Sequence, residues 1–113
     1  PETPLLDSTF QDDELLNLSY WLKVDPKEEL LPNKTFKVDG QIVHSGMVGG
    51  SLDLLDGWLL VSEDIQTEGG KHLEFLITTR EGSIGRVMLR ATNDTIIHTE
   101  ESGRRFFNNV PIP

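Results

Sequence analysis

Cysteine is absent from this sequence of 113 residues. Its absence excludes disulfide bonds, thiolate nucleophiles and thiolate metal ligands. It also favours a reducing compartment such as the cytoplasm, whereas Asn-X-Ser/Thr sequons at Asn17, Asn33 and Asn93 are compatible with a secretory pathway. The sequence therefore leaves the localisation open between these two.

Long apolar runs and an excess of basic residues are also missing. No stretch approaches the roughly 20 apolar residues that a membrane-spanning helix needs, so we expect a soluble protein with no membrane partner. The formal net charge is −9, with 19 acidic residues against 10 basic ones. Because nucleic acids attract basic surfaces, this balance argues against a nucleic-acid partner and leaves a protein partner open.

Motifs of catalysis or cofactor binding are scarce as well. His44, His72 and His98 each lack a second ligand at a diagnostic spacing. His98 and Glu100 would share one side of a strand, which suits two metal ligands but is more typical of exposed polar positions. No glycine-rich segment has the strand-to-helix context of a nucleophile elbow or a phosphate loop. We therefore expect no catalytic, cofactor-binding or metal-binding residues.

What the sequence does contain is apolar and polar residues that alternate between turn signals. Residues 15–24 alternate most cleanly, Asp39-Gly40 indicates a two-residue hairpin, and turns divide residues 57–100 into four strand-like runs. This pattern predicts an all-β protein, an antiparallel sandwich or barrel of about seven strands, with 57–100 as a meander. The predicted core is Leu16, Leu18, Tyr20, Leu22, Phe36, Val38, Leu59, Val61, Leu73, Phe75, Ile77, Val87 and Leu89.

The alternative fold is α+β, with a helix over residues 7–23 packed on an antiparallel sheet. Either fold would be a single domain over residues 1–113, because this length buries enough apolar surface to fold without a disulfide. Proline-containing ends predict flexible tails at about 1–6 and 109–113. A serine cap and a glycine stop also predict one helical turn over residues 51–57.

Four residues on predicted strand faces are candidates for binding a protein. Trp21 falls on the otherwise polar side of its strand, where either a partner or the loop at 25–33 would have to cover it. Two arginines would form a basic stripe on an acidic protein, unless they pair across strands with Glu74. Aromatic and arginine side chains often dominate binding energy. The candidates are Trp21, Arg86, Met88 and Arg90.

These observations predict a noncatalytic protein-binding or interaction module that acts through exposed strand faces. Its partner would be another protein, or a second copy of the chain paired through an edge strand. The alternative is a small ligand-binding barrel or enzyme. Its pocket would lie near the Gly46–Ser51 loop and would include His44 and His98.

Overall fold

The computed structural model describes residues 2–24, 31–48, 53–55, 57–78, 84–91 and 96–101. Within these ranges the chain forms nine strands and no helix, so the all-β prediction is confirmed and the helix over 7–23 is wrong. The alternating pattern had indicated seven of these strands; β1 and β5 are the additional two. The strands are β1 (Glu2–Thr9), β2 (Leu15–Lys23), β3 (Asn33–Val38), β4 (Gln41–Met47), β5 (Asp53–Leu55), β6 (Trp58–Gln66), β7 (His72–Thr78), β8 (Ile84–Ala91) and β9 (Ile96–Glu101).

The strands make two antiparallel sheets packed face to face as a sandwich. Sheet A has the order β1-β7-β3-β4, and sheet B has the order β5-β6-β2-β8-β9. Apolar residues at alternate positions point between the sheets and form one shared core. Every predicted core residue lies in this layer, with Phe36 and Val38 partly buried and the rest buried. One core means that the described residues form a single domain.

The central strand of sheet B is β2, which pairs with β6 on one side and β8 on the other. Its register with β8 shifts between Tyr20 and Leu22, which face Val87 and Ile84. This β-bulge adds one residue to β8, so two side chains that are three positions apart both point into the core. Ile84 and Val87 are accordingly almost fully buried.

The N-terminal residues form an edge strand rather than the tail expected at about 1–6. β1 pairs with β7 along its whole length, with an irregularity between Pro4 and Leu6. Leu5 and Leu6 are both buried in the shared core. The apolar Leu-Leu pair therefore docks a segment that its prolines had marked as a tail. The tail predicted at 109–113 lies outside the described residues.

The predicted meander over 57–100 has the right strands but the wrong pairing. β6 belongs to sheet B, β7 to sheet A and β8 to sheet B again, so the chain crosses between sheets twice. Only β8 and β9 pair as consecutive neighbours in this region. The glycine-containing turns thus mark changes of direction that lead to the opposite sheet.

Hydrogen bonds join the connection between β6 and β7 to the connection between β1 and β2; each of these connections passes from one sheet to the other. Thr67 is fully buried, and its Oγ1 accepts the backbone N–H of Glu14 at 2.7 Å and donates to the carbonyl of Asp12 at 2.8 Å. The N–H of Gly70 donates to the carbonyl of Phe10 at 2.7 Å. Two connections that satisfy each other's backbone groups close this end of the sandwich.

The Asp39-Gly40 hairpin is confirmed, and the helical turn predicted over 51–57 is wrong where the chain is described. Asp39 and Gly40 have φ values of 49° and 81° and connect Val38 to Gln41, as a tight two-residue turn requires. Asp53–Leu55 is instead the short strand β5, paired with the first residues of β6. Sheet B therefore has only a three-residue strand at this edge.

Candidate interaction surfaces

The four predicted binding residues lie together on the outer face of sheet B, which is the face turned away from the core. Met88 is opposite Ser19, and Arg90 is opposite Asn17. Arg86 lies at the bulge beside Trp21, since the register there leaves two residues of β8 opposite one of β2. We call Trp21, Arg86, Met88 and Arg90 the β2–β8 face.

Trp21 is buried, with 6% of its surface exposed, so the expectation that it is exposed is wrong. A side chain at Gly85 would lie 3.0 Å from the Trp21 Cβ and 3.3 Å from the ring of Trp58. The missing side chain thus lets two tryptophans pack on the outside of the sheet. Lys23 places its Nζ 5.5 Å from the centre of the Trp58 ring. The predicted cover, the loop at 25–33, is described only from residue 31.

The arginines of the β2–β8 face do not pair with Glu74, because Glu74 lies on β7 in sheet A. Arg86 is in register with Glu101 on β9. Its Nε is buried and donates to no acceptor among the described residues. A guanidinium nitrogen of Arg90 lies 3.6 Å from the Met88 sulfur. All three β8 residues of this face are half-buried, so each keeps part of its surface open to solvent.

A polar ladder beside the β2–β8 face joins β2, which carries Trp21, to β6. The Asn17 amide donates to the Ser62 hydroxyl at 2.7 Å and to Asp64 at 3.3 Å. The Ser19 hydroxyl donates to the Asn17 carbonyl oxygen at 2.7 Å. Cross-strand contacts of this kind hold side chains in one arrangement. The β2–β8 face therefore lies next to a hydrogen-bonded polar region of the same sheet, which preorganises this part of sheet B.

A second candidate surface is β4, the edge strand of sheet A. Among the described strands it pairs only with β3, and most of its side chains are exposed. Ile42, Val43 and Met47 are 63%, 57% and 55% exposed, whereas most large apolar residues of the described chain are buried. An open edge with bare apolar side chains is typical of a surface that pairs with another strand.

An ion pair links the two sheets inside the sandwich. Lys34 of β3 contacts the carboxylate of Glu63 of β6, and both side chains are largely buried. The Tyr20 hydroxyl donates to the other oxygen of this carboxylate at 2.8 Å. Burial, reinforced by the negative charge of Glu63, raises the pKa of Tyr20 far above its ordinary value. The network therefore holds Tyr20 in its neutral form.

His72 forms a hydroxyl–imidazole–carboxylate arrangement on the outer face of sheet A. Its Nδ1 lies 3.1 Å from the Thr9 hydroxyl, and its Nε2 lies 2.5 Å from a carboxylate oxygen of Asp7. The order of groups is that of a catalytic triad. However, the His72 and Asp7 side chains are 41% and 59% exposed on a sheet face. Because solvent screens such a pair, it contributes only modestly to the stability of the β1–β7 contact.

The other two histidines lie on edge strands of different sheets. His44 is exposed on β4, and His98 lies on β9, where it faces Leu89 in register. Lys34 of β3 contacts Glu63 of β6, so β3, the neighbour of β4, lies opposite β6 in the other sheet. β9 is three strands away from β6 in sheet B. The structure therefore does not bring these histidines together. Residues 49–52, which include most of the proposed pocket loop, lie outside the described chain, as does the side chain of Glu100.

Two further features of the described residues bear on the chemistry. They contain no group of three or more His, Asp or Glu side chains placed to hold a metal ion. They also contain no helix that is long and apolar enough to cross a membrane. Of the sequons, Asn17 is hydrogen-bonded in mid-strand, Asn33 is exposed at the start of β3, and Asn93 lies outside the described chain.

Comparison of the chain with protein-family models, curated proteins and solved structures finds no match. The functional proposal therefore depends on the geometry and chemistry of these surfaces.

Three residues that shape these surfaces were not selected from the sequence. Trp58 and Gly85 complete the packing around Trp21, but their positions depend on the register of three strands, which sequence alone does not give. Glu63 could have been found, because it interrupts the apolar positions Leu59, Val61 and Ile65. An acid on an apolar strand face indicates a partner of opposite charge across the core.

Proposed function

We propose that the protein is a noncatalytic interaction module that binds a protein partner through the outer face of sheet B. The observation that carries this proposal is the grouping of Arg86, Met88 and Arg90 beside the packed tryptophans on one rigid face. Arginine, methionine and aromatic residues are enriched in protein interfaces. A preorganised face loses less side-chain entropy when it binds.

The chemistry of the β2–β8 face defines the partner. Two guanidinium groups flank an apolar methionine, so a complementary surface presents carboxylates or backbone carbonyls around an apolar side chain. Trp21 and Trp58 lie beside these residues and are buried, which makes them unsuitable as direct contacts. The partner surface is thus acidic or neutral, despite the net charge of −9 on the chain.

The test compares partner capture by the parent chain and by Arg86→Ala combined with Arg90→Ala. Partners captured from an extract are identified by mass spectrometry, and their affinity is then measured with purified proteins. We expect the double substitution to weaken binding at least about tenfold, since arginine is among the residue types whose removal most often costs more than about 1 kcal/mol at an interface. Both proteins are first checked for equal melting temperatures.

The matched control is Lys37→Ala combined with Lys71→Ala, which removes the same charge from positions outside sheet B. Lys37 lies on β3, and Lys71 pairs with Glu68 in the exposed β6–β7 connection. The control should bind like the parent. If the arginine variant folds normally and also binds like the parent, the β2–β8 face is ordinary surface and the assignment is wrong.

The rival function, a small ligand-binding protein or enzyme, has its own discriminating measurement. A ligand that binds only the native state raises the stability by an amount that grows with its concentration. Thermal shifts with metals and metabolites therefore separate the two functions. A large shift with a small molecule would favour the rival over the interaction module.

A further inference from the structure

The edge of sheet A carries apolar surface that no described element covers. β4 has β3 on one side and no described strand on the other, because it ends the strand order of its sheet. Ile42, Val43 and Met47 are all more than half exposed on this strand. The register with β3 shifts at Val43, which lies between the paired residues Ile42 and His44, and it is regular from His44 to Met47. The edge therefore presents a straight row of backbone groups from His44 to Met47, with a β-bulge before it.

The charge pattern around β4 is as unusual as its exposure. From Gly40 to Leu52 the sequence has no Asp, Glu, Lys or Arg, although the chain as a whole has 29 such residues, 19 acidic and 10 basic. Natural edge strands are commonly protected by charged residues, lysine above all. β4 has no Asp, Glu, Lys or Arg, and it lies on a protein whose acidity otherwise repels a second copy.

We propose that β4 pairs with β4 of a second copy of this chain, antiparallel and about a two-fold axis. The paired edges would join the two four-stranded sheets into one continuous sheet of eight strands. Each copy would cover the apolar side chains of the other, as a self-complementary interface requires. The seam would bring no carboxylates of the two β4 strands against each other, because β4 has none.

The charges near β4 favour this occupant over a charged strand from another protein. A basic strand would meet no acid on β4, and an acidic strand would find Lys34 already paired with Glu63. Lys37 is opposite Glu74 in the register of β3 with β7, so an acidic strand would also meet a carboxylate beside this lysine. The complementary strand is therefore uncharged and apolar, and the chain itself supplies such a strand at equal concentration.

The size of the contact predicts a weak, reversible dimer. Seven residues of strand extend over about 23 Å, so the paired edges bury less surface than a standard interface of about 1,600 Å². A net charge of −9 on each copy opposes association at long range. Salt screens that repulsion, and the dimer should therefore strengthen as ionic strength rises.

Sedimentation of the full chain over a range of protein concentrations tests this proposal. The parent should shift from monomer to dimer, and Val43→Lys or Ile42→Lys should raise the dissociation constant at least about tenfold, because each substitution occurs twice in the seam. Leu15→Lys is the matched control, since Leu15 is a large apolar residue that is 46% exposed on β2. The control should dimerise like the parent.

Hydrogen exchange locates the contact independently. Backbone amides of β4 should become protected as the concentration of the parent rises, while those of Val43→Lys should not. A parent that stays monomeric at its highest attainable concentration overturns the proposal, and so does a dimer that survives both lysine substitutions. Arg86→Ala combined with Arg90→Ala should leave dimerisation unchanged, so failure of this inference is distinguishable from failure of the proposed function.

Discussion

At the scale of single residues, Gly85 determines how the outside of sheet B is built. It lies in the bulge of β8, next to Trp21 on β2 and under the ring of Trp58 from β6. The indole of Trp58 thus reaches across β2 into space that a side chain would occupy. Burying an indole on an outer face removes a large apolar area from water. The half-buried arginines and methionine rest beside this packed layer.

The Gly85→Ala substitution is predicted to destabilise the protein by about 1–3 kcal/mol, the usual cost of overpacking. The added Cβ would meet the Cβ of Trp21 at 3.0 Å, and an atom fixed to the backbone cannot move away easily. Gly46→Ala is the control, because its nearest neighbour would be 4.0 Å away. It should change the stability by less than about 0.5 kcal/mol. Denaturant unfolding measures both; equal effects would contradict the packing described for Gly85.

Residue identities predicted the core well and the surfaces less well. Alternation in residues 15–24 placed Leu16, Leu18 and Tyr20 in the core, because a strand turns successive side chains to opposite faces. The same rule assigned Trp21 to solvent and failed, since it takes no account of the neighbouring strands. Cover on an outer face comes from side chains distant in sequence, and their register is a property of the whole sheet.

At the scale of elements, β1 is a segment whose structure is set by tertiary packing and not by its local sequence signals. Its proline, Pro4, is unfavourable inside a sheet and suits an edge strand, which is the position of β1 in sheet A. Leu5 and Leu6 then supply the burial that holds the strand against β7. The contacts of His72 with Asp7 and Thr9 add a smaller, solvent-screened contribution to the stability of this strand pair.

Leu5→Ala is predicted to lower the free energy of unfolding by about 2–5 kcal/mol, as truncation of a buried leucine usually does. If residues 1–6 were a flexible tail, Leu5→Ala would leave the free energy of unfolding almost unchanged. Glu2→Ala serves as the control, since Glu2 is exposed at the start of the same strand, and it should cost less than about 0.5 kcal/mol. Chemical denaturation decides the matter: a Leu5→Ala variant as stable as the parent would mean that β1 does not dock.

Turn signals fixed where strands end but not which sheet receives the next strand. The Asp39-Gly40 turn determined both the end of β3 and the sheet of β4, because a two-residue turn with positive φ values joins its flanking strands as a hairpin. The longer connection at 67–71 permits a crossing, and its bonds to residues 10–14 select it. Those partners are distant in sequence, so the two sheets could not be separated from the sequence pattern alone.

At the scale of the whole molecule, Tyr20 connects the two sheets through Glu63 and Lys34. The phenol is fully buried, its ring lies 6.0 Å from that of Phe75 in the other sheet, and its hydroxyl donates to a carboxylate. Ionisation would place a second negative charge beside Glu63 in the buried layer between the sheets. The raised pKa of Tyr20 therefore means that this side chain ionises only when the sheets separate.

This linkage predicts alkaline unfolding, with a sign that follows from proton binding. Below a pH of about 10, Tyr20 is protonated in both states and contributes no pH dependence. Above it, the unfolded chain loses this proton while the native state keeps it, so stability should fall by about 1.4 kcal/mol per pH unit from this group.

Because Tyr20 is the sole tyrosine, tyrosinate absorbance reports on it alone and should appear together with loss of the β-sheet circular dichroism. Tyr20→Phe should have a shallower fall in stability with pH, which separates the effect of Tyr20 from that of the lysines. Tyrosinate that forms near pH 10 in a protein with native circular dichroism would show that the phenol is not enclosed between the sheets.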